Sequence, residues 1–214
     1  SGSDLSDPSI KFMAERAVDM AKAAPVDPYC GLADKSQLAR FWNIDEFELC
    51  DQLDEPLPDE LENIAKETEY FALQNKSVDQ VQAANTGYSK TEIHLCATNG
   101  FNGGYSKTSF SNSCVAIARS QAGLERDYDG DVRIFKSDLR SPEEIGLLAA
   151  ERAVSRLEAR KPKTGVYPVV FDERISSSLI GHLLAATNGA AVARGTSWLL
   201  NSRGSVVLPE NLSI

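Results

Sequence analysis

Residues 90–120 read KTEIHLCATNGFNGGYSKTSFSNSCVAIARS and alternate polar with apolar side chains. Alternation with period two is typical of β-strands, because successive side chains point to opposite faces of a sheet. The pair Asn99-Gly100 interrupts the pattern and is a hairpin signal, since both residue types accept positive φ. The stretch therefore predicts two antiparallel strands joined at Asn99-Gly100, with His94 and Cys96 on the same face.

A second alternating segment, LERDYDGDVRIF at 124–135, extends this pattern towards the C-terminus. Its Asp129-Gly130 pair is again typical of a tight turn, so we predict a second hairpin at this position. Together the two segments predict an antiparallel sheet region over residues 78–136.

Helical patterns precede the sheet region. Asp7 is placed to cap a helix with Pro8 at its first position, and Pro25 ends that helix. Residues 25–58 predict an irregular connection with short helical turns, and a second helix covers about 58–74. The expected inward side chains of this second helix are Leu61, Ile64, Ala65, Thr68 and Ala72.

Two further helices are predicted after the sheet region. Ser141 and Glu144 form a capping box with a Pro between them, which begins the third helix. Asp172 is placed to cap a fourth helix that runs to about residue 188. The apolar stripe expected on the third helix consists of Ile145, Leu148, Ala149, Ala153 and Leu157.

Apolar segments in the last third of the chain predict additional strands. The run VYPVVF at 166–171 is rich in β-branched and aromatic residues, and residues 189–214 return to a pattern of strands and turns. The fold class that follows from the whole pattern is α+β, with an antiparallel or mixed sheet and flanking helices.

Composition limits the partners of the chain. It has 214 residues, 42% of them hydrophobic, which is enough for a sizeable core. The net charge of −9 argues against nucleic acid as a direct partner, because phosphate-backbone binding uses clustered Lys and Arg. No apolar run approaches the roughly 20 residues that span a bilayer, and no signal-peptide pattern opens the chain, so we expect no membrane partner. The four cysteines lack metal-ribbon spacing and predict reduced thiols in a cytoplasmic protein.

His182 is one of two histidines and falls on the predicted fourth helix. A helical zinc-protease site needs the pattern H-E-x-x-H, in which two His bind the ion and the Glu acts as general base. Leu183 stands at the Glu position and Ala186 at the second His position. Since neither side chain can bind a metal or activate water, we expect His182 to be a packed or interface residue.

Two other groups of possible metal ligands fail on number or spacing. His94 and Cys96 share a strand face, but no third ligand is apparent in the sequence nearby. The carboxylates of 127–131 alternate as in a calcium loop, yet Val132 occupies the sixth position, where such a loop needs Gly, and Asp138 the twelfth. The sequence favours a strand turn with solvated carboxylates and predicts no metal site.

Nucleophile and phosphate motifs are also missing. The chain lacks G-x-S-x-G, and the Gly-rich segment at 100–106 has no P-loop Lys. Arg194, Gly195, Thr196 and Ser197 offer a cation and several donors that could hold a peptide carboxylate or backbone. The alternative is a tight turn ordered by hydroxyl–backbone hydrogen bonds. We therefore assign no catalytic residue from motifs.

The segment KPKTGVYPVVFDERISSSLIGHLLAATNGAAVARGTSWL, residues 161–199, resembles the TldD/PmbA family, specifically its PmbA (TldE) branch. Three upstream segments, 3–34, 97–129 and 141–157, resemble the same branch in the same order, so the similarity covers nearly the whole chain.

Family members are longer than this chain. The resemblance implies an α/β N-terminal-type domain at 1–160 that is incomplete at its start. It also implies that residues 161–214 are the truncated start of a β-rich C-terminal domain.

The resemblance further implies a function in proteolysis of peptides and unfolded protein segments, including peptide maturation. In this family a TldD-type partner binds zinc through an H-E-x-x-x-H motif and forms a heterodimer with the PmbA-type chain. The resemblance therefore implies that this chain has no zinc ligand, catalytic Glu or cofactor of its own. An older family label, modulator of DNA gyrase, does not imply DNA binding. The residues expected at a substrate or subunit interface are His182, Asn188, Arg194, Gly195, Thr196 and Ser197.

Two alternative functions stay open. One is an autonomous hydrolase with an unrecognised nucleophile, for which Ser197 is the residue to test. The other is a peptide-binding or chaperone-like module that takes no part in cleavage.

Overall fold

A computed structural model describes residues 1–28, 30–41 and 43–209. Within them the chain forms five α-helices and three β-strands, which confirms the α+β class. In chain order these are α1 Asp7–Ala23, α2 Pro58–Ala72, β1 Val78–Cys96, β2 Asn102–Ser120, β3 Gly123–Arg133, α3 Pro142–Ser155, α4 Glu173–Ala186 and α5 Gly189–Ala193. None of these helices is long and apolar enough to cross a membrane.

The chain divides into two compact units. The sheet unit is Ala33–Thr164 and contains α2, the three strands and α3. The helical unit consists of the described residues of Ser1–Leu32 and Gly165–Ile214 and contains α1, α4 and α5. The domain division expected from the family resemblance, 1–160 and 161–214, stays a prediction.

The sheet is antiparallel throughout, with the strand order β1-β2-β3. The first hairpin turns at Asn99-Gly100 as predicted, and Gly100 has a φ of +97°, a value that L side chains rarely adopt. The backbone N–H of Gly100 donates to Ala97 O at 3.0 Å, which closes the turn. The predicted sheet region, residues 78–136, is confirmed by strands that extend from 78 to 133.

The predicted turn at Asp129-Gly130 is wrong. Both residues lie inside β3, where Asp129 pairs with Cys114 and Gly130 with Ser113 on β2. The second hairpin instead turns between Ser120 and Gly123. A Cβ on Gly130 would lie 3.0 Å from the Ser113 Cβ, so this glycine serves a close approach between strands and not a turn.

The core of the sheet unit lies between one face of the sheet and the helices α2 and α3. Alternate residues of β2 from Thr108 to Ala118 are buried, as period two requires. The predicted inward side chains of α2 are confirmed as buried or half-buried, and so is the apolar stripe of α3. Small residues dominate this core, whose main members are Ala72, Val78, Cys114, Ala116, Ala118, Ile145, Ala149, Ala150 and Ala153.

The helix boundaries follow capping chemistry. Ser141 and Glu144 form the predicted capping box of α3, with Glu144 N donating to Ser141 Oγ at 3.2 Å. Asp172 caps α4 as predicted by accepting from Arg174 N at 3.0 Å. At α1 the N-cap position belongs to Ser6, and the predicted cap Asp7 is the first residue of the helix. Two short 3-10 turns in the 25–58 connection confirm its irregular character.

The strands predicted in the last third are not formed. Residues 166–171 belong to neither helix nor strand, and Val166 and Val170 are almost fully exposed. High β-propensity reflects packing on a pleated surface, and none of the described strands pairs with this segment to provide one. Residues 189–193 form α5, and the described residues from 194 to 209 form turns and coil. The remaining residues of that prediction, 210–214, lie outside the described part.

Candidate functional site

Helix α4 presents His182 on the surface of the helical unit. The His182 side chain is exposed, so packing in the interior of this chain is not its role. The next position, Leu183, is half-buried, and Ala186 is the single buried residue of α4. A cation at His182 would therefore meet alkyl groups at the two positions where the zinc motif supplies a carboxylate and a second imidazole.

Hydrogen bonds from Asn188, Thr196 and Ser197, three of the predicted interface residues, order the end of α4 and the short α5. Asn188 caps α5, since its Oδ1 accepts from Ala191 N at 3.1 Å. Thr196 Oγ1 donates to Ala191 O at 3.1 Å, and Ser197 Oγ donates to Ala186 O at 2.5 Å. The two hydroxyls thus satisfy carbonyls near the C-termini of α5 and α4, which have no partner within the helix.

Gly195 and Arg194 also contribute to this turn. Gly195 has a φ of +74°, which lets the chain leave α5 without strain. Arg194 pairs through Nη2 with the carboxylate of Asp27 in the same unit. The geometry is that of a tight turn ordered by hydroxyl–backbone bonds, in which the two hydroxyls and one nitrogen of the Arg194 guanidinium have partners within the unit.

A cavity of about 470 Å³ lies next to this turn. We call it the α5 groove; its lining is Ala186, Thr187, Gly189, Val192, Ala193, Leu199, Ser202, Arg203, Ser205 and Val207. None of the six predicted interface residues lines it, although Ser197 fixes its wall through Ala186. The sequence patterns did not predict the groove; the one signal they contain is the presence of small residues at Ala186, Gly189 and Ala193, which leave the helix surface there without large side chains.

The β1–β2 hairpin brings a third side chain to His94 and Cys96. Asn102 lies opposite Cys96 in the strand register. Its Oδ1 is 2.6 Å from His94 Nε2 and 3.4 Å from Cys96 Sγ. The predicted shared face is confirmed, and the partner missing from the sequence pattern comes from the other strand. Within the described ranges, no three side chains of His, Cys, Asp or Glu cluster as a metal site.

Asp127 and Asp129 of β3 are buried, Asp131 is half-buried, and all three are paired with arginines, so the expectation of solvated carboxylates in a turn is wrong. Asp129 forms an ion pair with Arg152 of α3, and its side chain is 5% exposed. Arg140 Nη2 lies 2.9 Å from Asp129 Oδ2 but donates its hydrogen bond to Gly130 O at 2.8 Å. Asp129 Oδ2 consequently has no hydrogen-bond donor among the described residues. These charges join β3 to α3 and form no cation site.

Asp131 is the third carboxylate of this row. Burial alone would raise its pKa, but the backbone N–H of Arg140 and the guanidinium of Arg133 outweigh that effect and hold the pKa below its ordinary value. Arg140 N donates to Asp131 Oδ2 at 3.0 Å. Asp131 therefore stays ionised near neutral pH.

Family models match both parts of the chain. Residues 51–157 match the PmbA/TldA metallopeptidase central domain, and residues 164–214 match the PmbA/TldA metallopeptidase C-terminal domain. The chain is 34% identical to the metalloprotease PmbA of Escherichia coli O157:H7 over 215 residues, which cover 100% of this chain and 47% of that protein. A PmbA homolog of Haemophilus influenzae is 31% identical, with coverage of 100% and 47%. The chain thus spans about half the length of these curated relatives.

Solved structures have the same fold. A crystal structure from Bacteroides thetaiotaomicron, described as a modulator of DNA gyrase, superposes with a TM-score of 0.75 at 25% identity and covers 94% of this chain and 46% of its own. TldE from Thermococcus kodakarensis superposes with a TM-score of 0.59 at 19% identity, covering 94% and 45%. The second likeness concerns the fold alone.

Proposed function

Because the chain belongs to the PmbA/TldA metallopeptidase family, we propose that it acts as the PmbA/TldE-like subunit of a TldD/TldE-type peptidase complex. In this proposal the complex cleaves peptides and unfolded protein segments in the cytoplasm and matures peptides. The zinc and the catalytic Glu come from a TldD-type partner, and this chain supplies interface and substrate-binding surface. The unpaired state of all four cysteines is consistent with a reducing compartment.

The observation that carries the proposal is the residue set after His182 on α4. Leu183 and Ala186 have no atom that binds a metal or takes a proton from water, so the residues present do not fit a zinc ion. We accordingly assign no step of the cleavage to this chain. Its own residues shape a surface: the Asn188, Thr196 and Ser197 hydrogen bonds hold α4 and α5 together beside the α5 groove.

The exposed apolar face of α4 supports an interface role. Ile175 and Leu179, one turn apart on α4, are 54% and 46% exposed, and an open cavity of about 570 Å³ runs along Leu179, Ile180 and Leu183. An apolar stripe of this kind on a helix is stable in water only at a cost, which association with a second protein surface removes.

Peptidase assays with and without the TldD-type partner test the catalytic half of the proposal. We expect no cleavage of an unfolded peptide by the full-length chain alone and cleavage by the mixture. Chelation should abolish the activity of the mixture, and zinc readded to the partner should restore it. Chelator-sensitive cleavage by the chain alone would contradict the proposal.

A charge on the α4 face tests the interface half. Leu179→Arg should weaken co-purification with the TldD-type partner, because it places a cation in the apolar stripe. Leu147→Arg is the matched control, since Leu147 on α3 is 43% exposed and lies in the other unit. Equal retention of the partner by both variants would remove α4 from the interface.

A second candidate, a peptide-binding module without a part in cleavage, is favoured by the apolar lining of the α5 groove. It predicts that a fluorescent unfolded peptide binds the chain alone and that Ala193→Trp, which fills the groove, releases it. The autonomous hydrolase has less support, because Ser197 Oγ already donates to Ala186 O and accepts from Leu199 N at 3.0 Å. It still predicts that Ser197→Ala abolishes cleavage that needs no partner.

A further inference from the structure

Three atoms that can bind a metal ion, an imidazole nitrogen, a thiol sulfur and an amide oxygen, converge on the surface of the β1–β2 hairpin. His94 Nε2 and Cys96 Sγ lie 2.6 and 3.4 Å from the same oxygen, Asn102 Oδ1. We propose that His94, Cys96 and Asn102 form a binding site for one thiophilic divalent cation of the zinc and cadmium class. The site lies in the sheet unit and is independent of α4 and of the peptidase proposal.

The strand register fixes the three donors on one face. Cys96 pairs directly with Asn102, and His94, two residues earlier, points to the same side. A tetrahedral ion with bonds of about 2.0 to 2.3 Å places neighbouring donor atoms roughly 3.3 to 3.8 Å apart. The Cys96–Asn102 spacing already has that value. The imidazole has to withdraw by less than about 1 Å from the Asn102 oxygen to admit the ion.

Gly104 lies beside the imidazole of His94 and the backbone of Ile93. It pairs with His94 across the hairpin, and a Cβ at this position would lie 2.9 Å from His94 Nδ1 and 2.3 Å from Ile93 O. Its φ is not positive, so the backbone conformation does not require glycine. The Ile93 carbonyl is the nearer of the two atoms, so the close approach of the neighbouring backbone by itself calls for glycine at this position, and the His94 ring lies on the same side.

The three side chains are accessible and chemically suited to a soft ion. All three are exposed, which leaves the fourth coordination position to water. On binding, Cys96 releases its thiol proton and ligates as thiolate, and His94 ligates through Nε2 with its own proton on Nδ1. Asn102 contributes its neutral amide oxygen. Because a proton leaves, affinity should increase with pH.

Cadmium titration of the full chain, reduced with a phosphine, tests the site through the thiolate-to-metal charge-transfer absorption. We expect one saturating band with a stoichiometry of one, which zinc displaces. Cys96→Ser should remove the band and His94→Gln should weaken binding strongly, while Asn102→Ala should weaken it about tenfold. Cys30→Ser is the matched control, because Cys30 is also exposed and should leave the titration unchanged.

Far-UV circular dichroism of each variant separates a lost site from a lost fold. The proposal is overturned if folded His94→Gln binds cadmium as tightly as the unmodified chain, which would mean a single thiol acting alone. Absence of the band at millimolar cadmium would overturn it as well. Neither result affects the peptidase assays, which use a different readout.

Discussion

The side-chain amide of Asn112 on β2 donates a hydrogen bond to Thr68 Oγ1 on α2 across 2.8 Å, inside the core of the sheet unit. Asn112 is 1% exposed and Thr68 is fully buried. The Thr68 hydroxyl in turn donates to Ile64 O at 2.8 Å, and Thr86 Oγ1 donates to Asn112 Oδ1 at 3.1 Å. A buried amide is tolerated here because a donor and an acceptor reach it from two elements.

Thr68→Val should destabilise the sheet unit by about 1 to 3 kcal/mol, because it preserves shape but leaves the buried Asn112 amide without its acceptor. Urea unfolding followed by circular dichroism measures the loss. Thr91→Val is the matched control, since Thr91 is exposed on β1 and should change stability by less than about 0.5 kcal/mol. Equal effects of the two variants would show that the network contributes nothing.

Gly146→Ala should destabilise the contact between α3 and α2. An added Cβ would lie 2.4 Å from Thr68 O and 2.9 Å from Ala72 N, both backbone atoms that cannot yield easily. We expect a cost of about 1 to 3 kcal/mol in thermal or urea unfolding. Gly181→Ala in α4 is the control: nothing lies within 4 Å of its added Cβ, so better helix propensity should make that change neutral or stabilising. Loss of stability only at Gly181 would refute this packing account.

Arg152→Met should cost about 1 to 3 kcal/mol, because it removes the hydrogen bond to the buried Asp129 carboxylate, although Arg140 stays next to that carboxylate. Arg119→Met breaks the exposed pair with Asp79, where the side chains are 57% and 34% exposed, and should cost less than about 1 kcal/mol. Chemical unfolding of both variants in the same buffer gives the comparison. Similar losses would mean that burial does not strengthen the Asp129 pair.

Cys114 should be inert to thiol reagents in the folded chain. It is fully buried, and burial raises the pKa of its thiol to about 11, so almost no thiolate exists at pH 8. Cys30 and Cys96 are exposed and should react quickly. Cys114→Ala should leave the number of fast-reacting thiols unchanged in the native chain and reduce it by one in denaturant. A drop in the native count would disprove the buried, protonated state.

Local chemistry allowed part of the fold to be predicted. The Asn99-Gly100 hairpin, the Ser141–Glu144 capping box and the Asp172 cap each depend on residues close in sequence. Asp129-Gly130 has the same local signal as Asn99-Gly100, yet it lies inside β3. Asp129-Gly130 forms no turn because of residues outside the local sequence: Gly130 packs against Ser113 on β2, and Asp129 pairs with Arg152 on α3.

The candidate site was predictable to a smaller extent. His182, Leu183 and Ala186 together exclude the helical zinc motif, since that motif is a spacing within one helix. The turn role of Thr196 and Ser197 depends on carbonyls of α5 and α4, which no spacing rule identifies. The α5 groove and the exposed face of α4 exist only once the helices are placed.

The sequence by itself determined the α+β class, the capped starts of α3 and α4, and the first hairpin, because each follows from backbone preference or spacing over a few residues. Only the tertiary structure decided which carboxylates are buried, which glycines serve packing, and that Asn102 joins His94 and Cys96. These depend on contacts between residues that are distant in sequence or lie on different strands and helices. Their energies come from burial and charge pairing, which a local pattern does not contain.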